Sequence, residues 1–394
     1  MMQLDAIYIP SAVRGFDSPH TVFDVTVQDK HIHSITPSTA NTPAQGTLLP
    51  AFADVHLHLD KTYTVQDTGP ANGDLFRAID MIAQHRATWT AADLQQRMSR
   101  ALNEAWRSGT RALRTHLDWM SPPRPVSIDV LLALRQAWRD RLQMQWVSLT
   151  ALDIFDDAAV GRSIAAQVKE GQGILGCFVY RNDDLARKLA GVFTLAHEFD
   201  LDLDFHVDEG LDVDAAALPD IAQLTLQHGW QGRVTCGHAC SLSVQPAAEV
   251  LQTLELIAQA DIGLVALPTT NLYLQGSWTE TPLQRGITRV LEARDAGVQV
   301  CLATDNVADP FFPYGCYDLL ESWALGVQMA HLAPAENWLD SITVAPARSM
   351  HLAWDGRIAP GCPADFVLLN ACNGLELMNT TARTRRVCRQ GAWL

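Results

Sequence analysis

The stretch LLPAFADVHLHLDKTY (residues 48–63) decides how this 394-residue chain is read. An apolar run of strand length ends in two histidines, His56 and His58, one residue apart. Asp60 and Lys61 follow at once. Side chains two apart on a strand point to the same side. Two imidazoles delivered to one side at the end of a buried strand bring four ring nitrogens that need partners. A metal site at the rim of a barrel would supply them, provided the other strand ends carry matching groups.

Working outward, apolar runs bounded by polar residues or glycine recur along the chain. They predict strands at 48–58, 112–118, 144–152, 174–180, 201–209, 233–239, 263–268 and 298–306. Most intervals hold helix-like segments such as 91–109, 126–142 and 184–199. In the second of these, Leu131, Leu134, Trp138 and Leu142 fall on one face. Gly109 follows the first as a stop. Alternating strands and helices, with strands apolar on both faces, predict an α/β fold: a (β/α)8 TIM barrel over residues 49–354. A doubly wound open sheet would need a glycine-rich phosphate loop after an early strand. The sequence has neither G-x-G-x-x-G nor G-x-x-x-x-G-K. Residues 4–37 and the tail from 355 alternate β-branched and polar residues between turn signals. They predict a small β-sandwich built from both termini, residues 1–48 and 355–394. The polar segment 37–47 reads as a loop.

Composition limits the function classes. The chain is 48% hydrophobic and 19% charged, enough to fold around a large core. Its formal net charge of −15 argues against binding a nucleic-acid backbone, which needs clustered Lys and Arg. No uncharged apolar run approaches the roughly 18 residues of a membrane helix, and the N-terminus does not read as a signal peptide. Eight cysteines in a chain this long form no dense framework, so a cytoplasmic protein is expected. Cys236 and Cys240 flank His238, but no second pair completes a zinc site, and they read as buried thiols.

The chemistry sits at the predicted strand ends, which in a barrel share one face. They carry His56 and His58 on the first strand, His116 and Asp118 on the second, and His206, Asp208 and Glu209 on the fifth. His238 ends the sixth, and Asp305 with Asn306 the eighth. His56, His58 and His206 with the Asp305 carboxylate suit one Zn2+ or Fe2+, with room left for water. A lone strand histidine is usually satisfied by its surroundings, and His116 is read as a neighbour of the ligands. His31 and His33 repeat the H-x-H spacing within the N-terminal strands and read as surface residues. Asp60 and Lys61 are either a solvated pair or part of the site.

H-x-H on the first strand, HVDE on the fifth, GHA on the sixth and TDN on the eighth resemble the amidohydrolase superfamily, most closely its cytosine deaminase branch. The resemblance covers essentially the whole chain and includes LRTHLD and GCPADFVLL. It implies a mononuclear site held by His56, His58, His206 and Asp305, since the fourth strand, ILGCFVY, lacks the Lys or Glu of binuclear relatives. It also implies Glu209 as proton shuttle, His238 over the attacked carbon and Asp305 as acceptor of the water proton. The expected reaction is hydrolytic deamination of a small heterocycle through metal-activated hydroxide, with ammonia released. Two polar readers of cytosine are missing. Ala151 stands where the branch carries a third-strand Gln, and Asn306 where it carries a second Asp. Phe311 survives as the ring-stacking aromatic. Asp153, Lys61, Tyr180, Arg181, Asn182 and Trp119 are candidates for replacement contacts. The substrate expectation is therefore a modified cytosine, isocytosine, a pterin or an aminotriazine. Hydrolysis of a cyclic amide or an N-alkylamino substituent, as in ammelide-hydrolysing relatives, is the alternative, and a non-catalytic metal-binding protein a third. Oligomeric state stays open: the segment 323–334 reads as an ordinary barrel helix or, in a homo-oligomer, an interface.

Overall fold

The computed structural model describes residues 1–39 and 42–394. Eight parallel strands form one sheet in chain order: Phe52–Leu57, Thr110–Asp118, Gln143–Ala151, Ile174–Val179, Leu203–Val207, Val234–His238, Gly263–Ala266 and Gln299–Leu302. Helices fill most of the intervals, including Ala91–Ser108, Val126–Trp138 and Leu185–Phe199 where the sequence predicts them. The first strand is buried along its whole length, as its unbroken apolar run requires. The ring closes between the first and eighth strands through a parallel bridge, Leu57 to Asp305. There the Asp305 amide donates to the His56 carbonyl at 3.0 Å. This is the (β/α)8 barrel the sequence predicts.

One predicted strand is really two. Residues 48–58 read as continuous, yet Gly46–Pro50 pairs with Met2–Tyr8 and Phe366–Leu369, and Phe52–Leu57 begins the barrel. Both pieces are buried and apolar, so no change of composition marks the hand-over at Ala51. The terminal strands are hydrogen-bonded into a single seven-stranded sheet. It is antiparallel except where Met2–Tyr8 runs parallel to Gly46–Pro50. His31 and His33 lie exposed on this sheet, as expected.

The chain falls into two compact units. One comprises Met1–Asp54, Glu104–Ala112 and Asp318–Leu394; the other Val55–Asn103 and Leu113–Tyr317. The second holds every strand end discussed below. Within it, helix Leu75–Arg86 follows the first strand, capped by Asp74, whose carboxylate accepts from the Arg77 amide. Leu75, Ala78 and Ile82 recur at helical spacing and bury against Phe311 and Leu274. No helix among the described residues is long and apolar enough to cross a membrane.

Candidate active site

The strand ends bring five imidazoles together. Ring centroids of His56 lie 4.0 Å from His116, 4.4 Å from His206, 5.2 Å from His238 and 5.5 Å from His58. All five are buried. Backbone pairing explains the convergence. His206 sits in register with Gly237 on one neighbouring strand and Phe178 on the other. A side chain at 237 would strike the His56 ring, since a Cβ there would lie 2.8 Å from its Cε1. His238 and Asp305 both leave their strands in the left-handed region, φ 72° and 60°. For non-glycine residues this costs about 1–3 kcal/mol each and is typical of positions whose side chain must be aimed.

The donor set fits a metal ion. Asp305 Oδ1 lies 3.1 Å from His58 Nε2 and 3.6 Å from His56 Nε2, and His58 Nε2 lies 3.3 Å from His206 Nε2. Ligand atoms about 2.0–2.2 Å from a tetrahedral ion are about 3.3–3.6 Å apart. Both nitrogens of His56, the Nδ1 atoms of His58 and His206, and both Asp305 oxygens are buried without a protein hydrogen-bond partner. So many unpaired polar atoms would be costly in an interior that held nothing else. Burial holds His56 and His206 well below the usual histidine range, with the neighbouring imidazoles adding to the effect, so they are neutral and able to ligate. Burial pushes the Asp305 carboxyl up, but the close approach of His58 at 3.1 Å and the neighbouring imidazoles outweigh it and hold it low, in the ionised form. His116 stays beside this group, its Nε2 3.9 Å from Asp204, and Arg114 donates to the other Asp204 oxygen at 2.8 Å.

Glu209 and His238 form a second constellation. Glu209 Oε1 lies 3.2 Å from His238 Nδ1, and the Asn271 amide nitrogen sits 3.1 Å from that nitrogen and 3.4 Å from the carboxylate. Burial, reinforced by Asp305, raises Glu209 well above the usual carboxylic-acid range, so it retains a proton. Burial also pushes His238 down to about 4, leaving it neutral. With Nδ1 accepting from Asn271, the His238 proton sits on Nε2, which is buried and has no protein partner.

These groups end a cavity of about 430 Å3 lined by His58, His206, Glu209 and His238. The third strand contributes only Leu149 and Ala151 to it, so no amide reads a ring from there. Phe311, Asn306, Asp153, Lys61, Tyr180 and Asn182 line it as well; Trp119 and Arg181 do not. Trp119 is fully buried, and Arg181 is paired with Asp212 at the surface. Asn306 donates its amide to Asp309 at 2.7 Å, and Asp309 caps the turn that presents Phe311. Asp153 is largely exposed and tied to Lys188 and Asn182.

Asp60 and Lys61 are not a solvated pair. Both are buried, and Lys61 turns to Asp118, 2.8 Å away, with its ammonium 5.0 Å from the Phe311 ring centroid. Asp60 accepts from the Asp118 amide. Sequence reasoning missed Asn271 and Arg86. Asn271 lies on a short helix after the seventh strand, within PTTN, and only its place at a strand end could have flagged it. Cys236 and Cys240 are buried thiols whose ionisation burial suppresses, as expected.

Comparison with known proteins agrees with this geometry. A family model described as the amidohydrolase family matches residues 126–391. The chain is 36% identical to a pterin deaminase of Rhizobium rhizogenes (strain K84 / ATCC BAA-868), covering 96% of this chain and 90% of that protein. It is 24% identical to an N-isopropylammelide isopropyl amidohydrolase of Pseudomonas sp. (strain ADP), covering 89% and 88%. Among solved structures, 5-methylcytosine deaminase from Klebsiella pneumoniae with 5-fluorocytosine superposes with a TM-score of 0.87 at 26% identity, covering 100% of this chain and 97% of that one. The chain thus belongs to the amidohydrolase family, as its strand-end motifs imply, and is a hydrolase of carbon–nitrogen bonds other than peptide bonds.

Proposed function

We propose that this chain is a metal-dependent hydrolytic deaminase of an amino-substituted N-heterocycle, and that a 2-amino-4-oxo ring system of the pterin kind is its substrate class. The observation that carries the reading is that Glu209 and His238, joined through Asn271, line the same cavity as His58 and His206, whose Nε2 atoms converge with the ligand atoms of the buried His56 and Asp305. Glu209 and His238 are not needed to hold an ion. Their placement makes sense for proton transfer and charge stabilisation at a reacting carbon. The 36% identical relative is a pterin deaminase, and the apolar third-strand end disfavours a cytosine-type reader.

His56, His58, His206 and Asp305 would hold one divalent ion, Zn2+ or Fe2+. Bound there, it would supply Lewis acidity, bringing the pKa of water from about 15.7 to about 7. The chain's own residues do the rest. The Asp305 carboxylate takes a proton as the water oxygen bonds to the ring carbon. Glu209, protonated because it is buried, gives its proton to the adjacent ring nitrogen as that carbon becomes tetrahedral. His238 Nε2–H donates to the developing oxygen charge. Proton return to the exocyclic nitrogen then lets the C–N bond break. Water and the amine are consumed, and the ring carbonyl and ammonia are formed.

The test is an ammonia-release panel of aminopyrimidines, pterins and aminotriazines on protein of measured metal content, with products weighed by mass spectrometry. Ammonia and a product one mass unit heavier support the reading. Release of an alkylamine, or a ring-opened acid, overturns it in favour of the ammelide-type alternative. Glu209→Gln should lower kcat by about 10²–10⁴-fold with metal content unchanged.

A further inference from the structure

The proton-transfer scheme leaves a charged cluster of the cavity, Arg86, Asp118 and Lys61, unused. Helix Leu75–Arg86 ends on Arg86, whose guanidinium donates to Asp118 Oδ2 at 2.5 Å. Lys61 donates to the other oxygen, Oδ1, at 2.8 Å. Asp118 therefore has both oxygens committed, and its amide is held by Asp60 at 2.8 Å. Neither cation is fully used. Among the described residues, Arg86, with five N–H donors, makes this one hydrogen bond, and Lys61, with three, likewise makes one. Both side chains line the cavity that ends at Glu209 and His238. Arg and Lys can donate but never accept. A substrate edge set against them must offer acceptors, such as a ring carbonyl oxygen or an unprotonated ring nitrogen. The third strand end offers neither donor nor acceptor side chains, only Leu149 and Ala151. Arg86 and Lys61 are the cations of the lining, beside the polar side chains of Asn182, Asn306 and Tyr180.

Resting on the deaminase reading above, we infer that Arg86 is the specificity-determining residue of this site: held in place by Asp118, it selects heterocycles that carry a lactam carbonyl. Asp118 is the positioning residue, and Lys61 is fixed beside Phe311 by the same carboxylate. The planar guanidinium, anchored to Asp118 through one terminal nitrogen, carries further N–H donors in the same plane, which a lysine at 86 cannot reproduce. A site built to hydrogen-bond a substrate group rejects the analogue lacking it, because its own polar groups are then left unpaired.

The experiment compares pterin with its analogue lacking the 4-oxo group, on wild type, Arg86→Met and Arg86→Lys. Turnover is read as kcat and KM, and equilibrium binding by ligand fluorescence. Metal content and Tm are measured on every variant to exclude misfolding. In R86M the kcat/KM and affinity for pterin should fall by about 10- to 150-fold, the fold equivalent of a hydrogen bond to a charged donor. Values for the deoxo analogue should change by less than about threefold, as expected if only the missing bond matters. R86K should recover part of the loss, and Asp118→Asn should weaken pterin selectivity in the same direction. Equal losses on both ligands, or none, in well-folded R86M overturn the role of Arg86 and leave the deaminase reading standing. Pterin binding that depends on Arg86 without any ammonia release keeps the role and overturns the deaminase reading. Absence of binding by wild type overturns both.

Discussion

Gly237→Ala is the sharpest test of how the site is packed. The added Cβ would lie 2.8 Å from His56 Cε1 and 3.0 Å from its Nδ1. Carbon contacts are comfortable at about 3.5–4.0 Å, so the ring must retreat by roughly 0.7 Å or more. It has little room, because the His116 ring lies with its centroid 4.0 Å away and the His206 ring 4.4 Å away. His56 is fully buried, so the strain cannot be relieved into solvent. Overpacking of this kind costs about 1–3 kcal/mol. The larger effect is on ligation, where a disturbed ligand orientation lowers metal affinity by about 10–100-fold. The assay is metal affinity by competition with a chelator of known strength, alongside thermal unfolding. Gly191→Ala is the control. It lies on helix Leu185–Phe199 with nothing within 4 Å of its added Cβ. That substitution should raise stability by about 0.5–1 kcal/mol and leave metal affinity alone. Wild-type metal affinity in folded G237A would refute the packing argument.

Asn271→Ala removes the amide shared by His238 and Glu209. It should lower kcat by about 10–100-fold through misorientation, with KM and metal content little changed; a change confined to KM would contradict the assignment. Asp309 offers a pH test at a group outside the candidate ligand set. Burial raises its pKa to about 6, although the Asn306 hydrogen bond opposes this. An unfolded Asp titrates near 3.9. Between about pH 4 and 6 the unfolded chain loses this proton while the folded chain keeps it, so stability falls as pH rises through that window and is level above it. The Tm of wild type should therefore drop across the window relative to Asp309→Asn, whatever constant offset the substitution brings; parallel profiles would contradict the burial argument.

The barrel was legible because strand and helix periodicities differ and each strand carries its apolar run into a polar end. The convergence of the candidate ligands was legible for the same reason: period two puts His56 and His58 on one side, and the remaining groups end their own strands. What was not legible depends on partners distant in sequence. Arg86 at a helix C-terminus reads as an ordinary complement to the helix dipole, and only the fold brings it to Asp118, 32 residues on. Lys61 reads equally as half of a solvated pair or as a site residue until its burial and Asp118 are known. Asn271 has no titratable group to draw attention, and its meaning comes from two neighbours supplied by other strands. The break at Ala51 is hidden because both strands it separates are equally apolar.

Closure of the barrel and the candidate metal group share one seam. From the third strand to the eighth, adjacent strands pair through three or more consecutive residues, as Val234–His238 does with Leu203–Val207. Between the first and eighth strands the pairing is the bridge of Leu57 with Asp305 and the Asp305 amide to the His56 carbonyl. The same two chain segments supply the His56, His58 and Asp305 ligand atoms. An ion held by them would cross-link the ring at this seam, and binding to the folded state alone adds to stability by mass action. Removing it should leave three like-polarity imidazoles and a carboxylate facing one another at 3.1–3.6 Å. Loosening should therefore be local to the seam. Hydrogen exchange on metal-free and metal-loaded protein should show the largest loss of protection at residues 56–58 and 303–307, with the fifth and sixth strands affected less. Uniform loss of protection around the ring would mean that the ion does not act as the clasp of the barrel.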